Sequence, residues 1–255
     1  MTTSDTGTVS ERILLPWHDP APRSMALRIA AAAARSIVED RIGAGELLTE
    51  AQLAEEAGAS RTPAREAMVQ LQSWGLVRLV PKKGAIVTAV SPAERRDLVD
   101  LRATLEIRGI QLVAGSAAER GRLTERLRSS LSAQQSALEA GDLLAFSEQD
   151  VDFHLRIVEA GGNAVVAELA AALGPRFARL TYLAVSGDGT AAALYRREHE
   201  ALIRPIEAGD APAFAAAVRD HIAAAHFPSA PRTGSGAGWV SGAGPAATEG
   251  TEGTR

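Results

Sequence analysis

Residues 45–90 read GELLTEAQLAEEAGASRTPAREAMVQLQSWGLVRLVPKKGAIVTAV, and the order of signals in this stretch indicates the fold of the first part of the chain. Thr49 and Gln52 have the spacing of a capping box, which predicts that a short helix begins here and ends near Gly58. Pro63 indicates the first turn of the next helix, because proline is tolerated at that position. We therefore expect two helices separated by a turn.

The segments before and after these two helices are also predicted to have regular secondary structure. A helix is predicted before them, from about residue 24 to residue 40. After them, two β-type runs at 76–80 and 85–90 are joined by a turn at 81–84 and predict a hairpin. Helix, helix, turn, helix and hairpin is the order of a winged helix. We therefore expect a winged helix-turn-helix domain over residues 23–90.

Basic side chains are concentrated in this domain, although the whole chain carries a net charge of −4. Five cationic side chains and one anionic side chain lie between Arg61 and Lys83, and the only two lysines of the chain are Lys82 and Lys83. The second helix of a helix-turn-helix enters the major groove, where arginine binds guanine and threonine reaches bases or phosphates. The alternative is a solvated surface on which Arg61 and Arg65 pair with Glu66 or other acids. The spacing favours contact with DNA.

The second part of the chain, residues 91–227, has the pattern of helices throughout. Asp142, Asn163 and Asp210 stand where helix N-caps belong, and glycines stand where helices stop. Six helices are expected, at about residues 92–117, 122–140, 142–160, 164–185, 191–208 and 211–226. The predicted fold class is mainly α, with an N-terminal winged helix-turn-helix that has a small β-hairpin wing, followed by an all-α six-helix bundle.

The composition excludes several classes of protein. The chain has no cysteine, which excludes a disulfide scaffold, a thiolate metal site and a cysteine nucleophile. No apolar run approaches the roughly 18 residues of a membrane span, and the N-terminus lacks the basic flank of a secretory signal. We therefore expect a cytoplasmic protein with no membrane partner. Residues 1–22 and 228–255 are expected to be a disordered arm and a disordered tail.

Three of the five histidines fall on apolar helix faces. Asp150 and His154 are spaced i, i+4 and share a face of one helix, and His199 and His221 lie on apolar stripes of two further helices. Burying a carboxylate and imidazoles without partners is costly, and a divalent cation among them removes that cost. Three nitrogens and one oxygen suit Zn²⁺, and also Ni²⁺, Mn²⁺ or Fe²⁺. The alternative is that each histidine is a core residue with a local hydrogen bond.

The stretch 45–90 also resembles the DNA-binding domain of GntR-family transcription regulators, without a gap. Its residues 60–67, SRTPAREA, match the specific signature SRTPxREA of that family. The resemblance implies that the start of this helix reads DNA, and the two lysines at the hairpin tip are expected to lie along the DNA. The expected DNA-binding residues are Ser60, Arg61, Thr62, Arg65, Lys82, Lys83 and Gly84. The expected partner is a pseudo-palindromic double-stranded DNA operator that a homodimer binds.

Residues 91–227 are similar to the FCD effector domain of the FadR-like GntR subfamily. The matching pieces are L-x-x-L-R-x-x-L-E at Leu98–Glu106, D-x-x-F-H at Asp150–His154, G-G-N at Gly161–Asn163 and H-x(21)-H from His199 to His221. In the metal-binding branch of this subfamily, the aspartate and the three histidines at these motif positions hold the ion. The resemblance therefore implies that Asp150, His154, His199 and His221 are metal ligands.

Arg102 has two interpretations. It either forms a surface salt bridge to Glu106 one turn along the helix, or it is a buried cation that binds a carboxylate ligand near the metal, and the family motif favours the second. The features together predict a transcription regulator, not an enzyme, whose operator affinity is controlled by a small carboxylate effector. The resemblance suggests repression relieved by ligand as the commoner mode. The alternative is a metal-dependent enzyme that acts on a small organic acid.

Overall fold

The computed structural model describes residues 15–19 and 21–226 of the 255-residue chain. These residues form an N-terminal domain of three α-helices and a three-stranded sheet, followed by a domain of six α-helices. The predicted fold class, mainly α with a winged helix-turn-helix followed by an all-α bundle, is confirmed. Among the described helices, none combines the length and the hydropathy that a bilayer crossing requires.

The N-terminal domain has the element order that its sequence predicts. Its elements are α1 (Met25–Val38), β1 (Leu47–Leu48), α2 (Glu50–Glu56), α3 (Arg61–Ser73), β2 (Val77–Val80) and β3 (Gly84–Val87). The expected capping box is present, with Thr49 and Gln52 each accepting a backbone N–H of the other. The strands are antiparallel in the order β1-β3-β2. The strand β1 was not predicted, because a two-residue run is too short to show alternation.

The second domain is a bundle built around one central helix. Its elements are α4 (Pro92–Val113), α5 (Ala117–Ala140), α6 (Leu143–Ala160), α7 (Ala164–Ser186), α8 (Ala191–Ala208) and α9 (Ala211–His226). The helix α6 packs against α4, α5 and α7. Its buried face carries Phe153 and Ile157 together with Asp150 and His154, because residues three, four and seven apart share a helix face. The apolar pattern of α6 therefore places two polar side chains in the centre of the bundle.

A short N-terminal segment, residues 15–19, packs against both domains. Leu15 is buried, and a turn of 3-10 helix follows it. Trp17 packs against the apolar cores of both domains. Its indole N–H donates to Glu148 Oε1 on α6 at 2.6 Å. The segment is thus held by the packing of Leu15 and Trp17 and by the hydrogen bond of the indole N–H.

This packing corrects the expectation that residues 1–22 form a disordered arm. The expectation is wrong for residues 15–19, because one leucine and one tryptophan find apolar partners that a proline-rich local composition does not reveal. Residues 1–14 of the expected arm, and the whole of the expected tail at 228–255, lie outside the described residues.

Two arginines of α7 connect the two domains. Arg179 is buried, and its Nη1 donates to the backbone oxygen of Thr88, the residue directly after β3, at 2.6 Å. Arg176 pairs with Glu94 at 2.5 Å, and its side chain lies against Gly75. Gly75 has a φ of +72°, and a Cβ there would lie 2.9 Å from Cδ of Arg176. Glycine at this position therefore permits both the left-handed turn and the close approach of the arginine.

Candidate metal centre and nucleic-acid interface

Three histidines from three different helices converge in the centre of the second domain. His154 lies on α6, His199 on α8 and His221 on α9, and all three are buried. One ring nitrogen of each lies within 4.8 Å of those of the others. Asp150 joins them, since its Oδ1 lies 3.3 Å from Nε2 of His199 and 3.9 Å from Nε2 of His154. The structure thus brings together the four side chains that the sequence singles out.

Each imidazole is oriented by a contact at its Nδ1 atom. The three contacts are His154 to Glu106 Oε2 at 2.9 Å, His199 to Gln134 Oε1 at 2.9 Å and His221 to Glu198 Oε2 at 2.8 Å. The amide nitrogen of Gln134 donates to the backbone oxygen of Gln149 at 3.3 Å, so its oxygen is the atom that faces His199. All three Nδ1 atoms therefore face side-chain oxygens. A neutral imidazole that donates from Nδ1 has an acceptor at Nε2.

Two of the Nε2 atoms lie close to each other in the cluster, and the third is buried without a partner within the residues that the structure describes. Nε2 of His154 and Nε2 of His199 are 3.2 Å apart. Nε2 of His221 is buried and has no hydrogen-bond partner among the described residues. If each histidine were only a core residue with a local bond, Nε2 of His221 would stay buried without a partner. A divalent cation would give it one, and the Nδ1 contacts are of the kind that orient metal-binding histidines.

The protonation states of this cluster suit metal ligands at neutral pH. Burial lowers the pKa of His154 well below its usual range, and the cation of Arg102 lowers it further. Burial also lowers the pKa of His221 to about 4, despite the opposing bond to Glu198. Burial opposes ionisation of Asp150, but a bond to His199 and the nearby positive charges outweigh it and hold its pKa well below the usual value. The two imidazoles are therefore neutral and the carboxylate is ionised, as metal coordination requires.

Arg102 is buried beside this cluster and does not lie at the surface. Its Nε is 3.5 Å from Glu106 Oε1, and its Nη1 is 3.6 Å from Asp150 Oδ2. Arg102 pairs with Glu106, as the first interpretation expects, but the pair is buried. The arginine lies near the histidines, as the second interpretation expects. Nε of Arg102 has no hydrogen-bond partner in the described part of the chain, so these are ion pairs at long range. Burial raises the pKa of Glu106 to about 8, although Arg102 acts to lower it.

The second candidate site is the surface of the N-terminal domain between α3 and the hairpin tip. A groove of about 770 Å³ lies there, and its lining includes Arg61, Arg65, Lys82 and Lys83. These four side chains are exposed, as is Thr62 beside them on α3. The expected pairing of the arginines with acids is weak, since Nε of Arg65 is 4.0 Å from Glu50 and no described residue forms an ion pair with Arg61. The cations are therefore free to meet an anionic partner.

Three of the expected DNA-binding residues, Ser60, Lys82 and Gly84, stand at a helix start or at the hairpin turn. Ser60 is the N-cap residue of α3, but its side chain makes no capping hydrogen bond with the residues that the structure describes. Gly84 has a φ of +121°, and a Cβ there would lie 2.1 Å from the backbone oxygen of Leu48. Glycine is thus required at the start of β3, where this strand lies against the backbone of β1. Lys82 also has a positive φ, of 62°, which turns the backbone at the hairpin tip.

Each of the two domains matches a known protein family. The family model described as bacterial regulatory proteins of the gntR family matches residues 25–87, and the model described as the FCD domain matches residues 97–224. The chain belongs to the GntR family and carries an FCD domain. As members of this family are transcription regulators, the GntR-family protein described here is a DNA-binding transcription regulator and not an enzyme, and the alternative of a metal-dependent enzyme is wrong.

Individual relatives of this GntR-family regulator cover different parts of it. An uncharacterised HTH-type transcriptional regulator of Agrobacterium vitis is 36% identical over 115 residues, which are 45% of this chain and 67% of the relative. A probable D-xylose utilization operon transcriptional repressor of Paenarthrobacter nicotinovorans is 28% identical over 78% of this chain and 86% of its own. A crystal structure of a GntR regulator from Rhodococcus sp. RHA1 shares the fold, with a TM-score of 0.68, 16% identity and coverage of 79% and 95%.

Four residues of the histidine cluster in this GntR-family regulator were not predicted. They are Glu106, Gln134 and Glu198, which face the Nδ1 atoms, and Thr181, whose hydroxyl donates to Asp150 Oδ2 at 2.8 Å. Glu106 had a sequence signal, because it lies one turn after Arg102 within the same motif. The other three bond to residues on other helices, and no local spacing indicates such a pair.

Proposed function

We propose that this GntR-family regulator is a repressor whose operator affinity is controlled by a small carboxylate bound at a Zn²⁺ site in its FCD domain. The observation that carries the proposal is the convergence of one ring nitrogen from each of three histidines with the Asp150 carboxylate at one buried point. Buried polar atoms in a purely structural core are paired, whereas Nε2 of His221 has no partner among the described residues. A bound cation would give it one.

The donor set fits a divalent metal, with His154, His199, His221 and Asp150 as its ligands. Three imidazole nitrogens and one carboxylate oxygen are typical of Zn²⁺, and Ni²⁺, Mn²⁺ or Fe²⁺ accept the same donors. A bound ion would supply a positive charge with room for a further anionic ligand. The protein's own part is to hold the rings in one tautomer through their Nδ1 contacts.

Arg102 is the residue we propose to bind the effector. Its guanidinium is buried beside the cluster and is held by Glu106 and Asp150 at long range, so an incoming carboxylate can replace one of these partners. A planar guanidinium binds a carboxylate through two parallel hydrogen bonds. The effector we infer is a small hydroxy-acid or di-acid, anchored at one end by the metal and at the other by Arg102.

On the DNA side, we propose that α3 reads base edges and that the hairpin tip holds the backbone. Arg61, Thr62 and Arg65 are exposed on the first turns of α3, with Ser60 at its start. Lys82 and Lys83 would contact phosphates, and Gly84 would act by shaping the hairpin. Because this machinery works on chromosomal DNA, we infer that the protein acts in the cytoplasm.

We infer that the regulator is a homodimer on a pseudo-palindromic operator, since a two-fold protein matches two half-sites. The relative from Paenarthrobacter nicotinovorans is named as a repressor, which supports the same sign of regulation here. Val165 and Leu169 lie one turn apart on α7 with exposures of 65% and 62%. Apolar side chains exposed in this way are typical of an interaction surface. We expect a second copy to cover them.

Metal analysis of the purified full chain tests the metal site. We expect about one divalent ion per chain in wild type and loss of most of it in His199→Ala and His221→Ala. His18→Ala is the matched control, since His18 pairs with Glu148 outside the cluster and should keep the metal. Protein purified without chelator that contains no metal would contradict the metal site and leave the DNA function standing.

Operator titration with a panel of small acids tests the effector. We expect a hydroxy-acid or di-acid to weaken operator binding of wild type, whereas the neutral sugar D-xylose does not. Arg102→Lys retains a buried cation but lacks the planar fork, so it should keep the metal and lose the response. A response to D-xylose alone, or an equal response of Arg102→Lys to the acid, would contradict the carboxylate proposal.

A further inference from the structure

An open groove lies on the outer face of the second domain, between α5 and α8. Its volume is about 750 Å³. It is separate from both sites described above, because none of its lining residues belongs to the histidine cluster or to the N-terminal domain. His199 and Gln134, which lie on the same two helices, point inward and bond to each other beneath it.

The groove is basic in an otherwise acidic protein. Its charged lining consists of Arg128, Arg196, Arg197, Arg204, Glu200 and Glu207. Arg128 pairs with Glu207, and Nη1 of Arg196 lies 3.6 Å from Glu200. These two pairs use both acids of the groove. Two of its four arginines are therefore left over.

The remaining two arginines are Arg197 and Arg204. Within residues 15–19 and 21–226, neither Arg197 nor Arg204 forms an ion pair or a side-chain hydrogen bond. Nε of Arg196 is buried and has no hydrogen-bond partner there either. The guanidinium groups of Arg197 and Arg204 thus have donors to offer to a ligand.

The floor of the groove is apolar. Leu131 of α5 and Ile203 of α8 are both buried beneath it, and Ala201 lies between the arginines. A concave surface of a few hundred cubic ångströms with an apolar floor and a few convergent polar groups is typical of a small-molecule site. A solvated charged surface would not need such a floor.

We propose that this groove binds a small organic phosphate, best one with two phosphate groups. The guanidinium fork matches the oxygens of a phosphate, and a phosphate monoester carries nearly two negative charges at neutral pH. A doubly charged phosphate therefore interacts more strongly with the two arginines than a singly charged carboxylate does. Arg197 and Arg204 lie about 10 Å apart along the helix axis, at 1.5 Å per residue, so a ligand with phosphates at both ends can meet both.

The experiment is calorimetric titration of the full-length protein, as purified, with fructose 1,6-bisphosphate, inorganic phosphate and fructose. We expect the bisphosphate to bind more tightly than phosphate, and fructose not to bind. Arg197→Ala and Arg204→Ala should each raise Kd about tenfold, the cost of losing one charged hydrogen-bonding group, and the double variant should not bind. Arg122→Ala, an exposed arginine on α5 outside the groove, is the matched control and should bind as wild type.

Four results would overturn the proposal. One is no binding of the bisphosphate at millimolar concentration, and another is an equal loss in Arg122→Ala, which would indicate attraction to net charge only. A third is that the double variant loses operator affinity without any small phosphate present, which would make DNA phosphates the occupant. The fourth is a change of oligomeric state in the double variant by analytical ultracentrifugation, which would make the groove an interface between two copies.

Discussion

Nη1 of Arg179 donates to the backbone oxygen of Thr88 at 2.6 Å, and two residues further along the same helix the hydroxyl of Thr181 donates to Asp150. One helix, α7, therefore touches both the end of the wing and the histidine cluster. If a movement of Asp150 shifts α7, the contact between Arg179 and Thr88 at the end of the wing would shift with it.

We predict that Arg179→Ala lowers the free energy of unfolding by about 1–3 kcal/mol, because the partly buried hydrogen bond from the charged side chain to the backbone oxygen of Thr88 is lost. Arg176→Ala is the matched control on the same helix. Its pair with Glu94 is partly exposed, so the loss should be about 0–1 kcal/mol. Urea unfolding of the three proteins measures both values. Equal losses would show that the Arg179 bond is no stronger than a surface ion pair.

Arg65→Ala is predicted to weaken operator binding by about 1–3 kcal/mol and to relax the preference at one base pair, because arginine on a recognition helix binds base edges. Fluorescence anisotropy with the operator and with single-base variants of it measures both effects. Arg122→Ala, far from α3 in the chain, should leave the affinity unchanged. Wild-type affinity of Arg65→Ala would place the recognition surface elsewhere.

The two lysines of the hairpin tip should affect DNA binding differently from Arg65. Lys82→Ala and Lys83→Ala should weaken binding to operator and to unrelated DNA alike, since a phosphate contact carries no sequence information. Each should also reduce the slope of log K against log salt by roughly one counterion. Titration at several salt concentrations gives the slope. A loss confined to the operator sequence would mean that these lysines read bases.

Gln134→Leu is predicted to lower metal affinity about 10–100-fold while leaving all four proposed ligands in place, because the Nδ1 of His199 loses the acceptor that orients its ring. Competition with a chromophoric chelator measures the affinity. Gln135→Leu, the adjacent residue whose amide bonds to Glu139, is the control and should bind metal as wild type. No difference between the two variants would contradict the orienting role.

In the metal-free protein, His221 contributes a loss of stability as the pH falls from about 6.5 to about 4. The pKa of His221 is lowered to about 4 in the folded protein, so the unfolded chain takes up a proton first. This histidine alone contributes about 3 kcal/mol, which is complete above pH 6.5 and absent below pH 4. Urea unfolding in chelator between pH 4 and pH 9 should show a shallower acid slope in His221→Gln than in wild type.

Glu106 acts in the opposite direction in the same experiment. Its pKa is raised to about 8 in the folded protein, so its contribution is complete below its ordinary value of 4.5 and is lost as the pH rises through 8. Glu106→Gln should therefore remove the loss of stability that this residue causes as the pH rises from about 4.5 to about 8. An unchanged slope between pH 4.5 and pH 8 would mean that Glu106 is ionised throughout.

Much of the fold follows from local sequence. The capping box at Thr49 and Gln52 marks α2, and the i, i+4 spacing of Asp150 and His154 places both on the buried face of α6. These features are local, because helix geometry alone relates the residues. The meeting of His199 and His221 with them depends on how three helices pack, and only their apolar stripes and the family motif pointed to it.

The rest depends on contacts between residues far apart in the chain. Gln134 and His199 are 65 residues apart, and Glu198 and His221 are 23 apart. Hydrogen bonds of this kind leave no periodicity in the sequence. The burial of Leu15 and the pairing of β1 with β3 were missed for the same reason, since each is stabilised by a surface that forms only when the chain has folded.

The position of Trp17 gives the natural protein an optical reporter. Its indole lies against the cores of both domains and donates to Glu148, so its surroundings change if the domains separate. The chain has two other tryptophans, Trp74 within the N-terminal domain and Trp239 outside the described residues. Replacing those two with phenylalanine would leave a single emitter at the junction, whose intensity and wavelength follow domain movement without an attached dye.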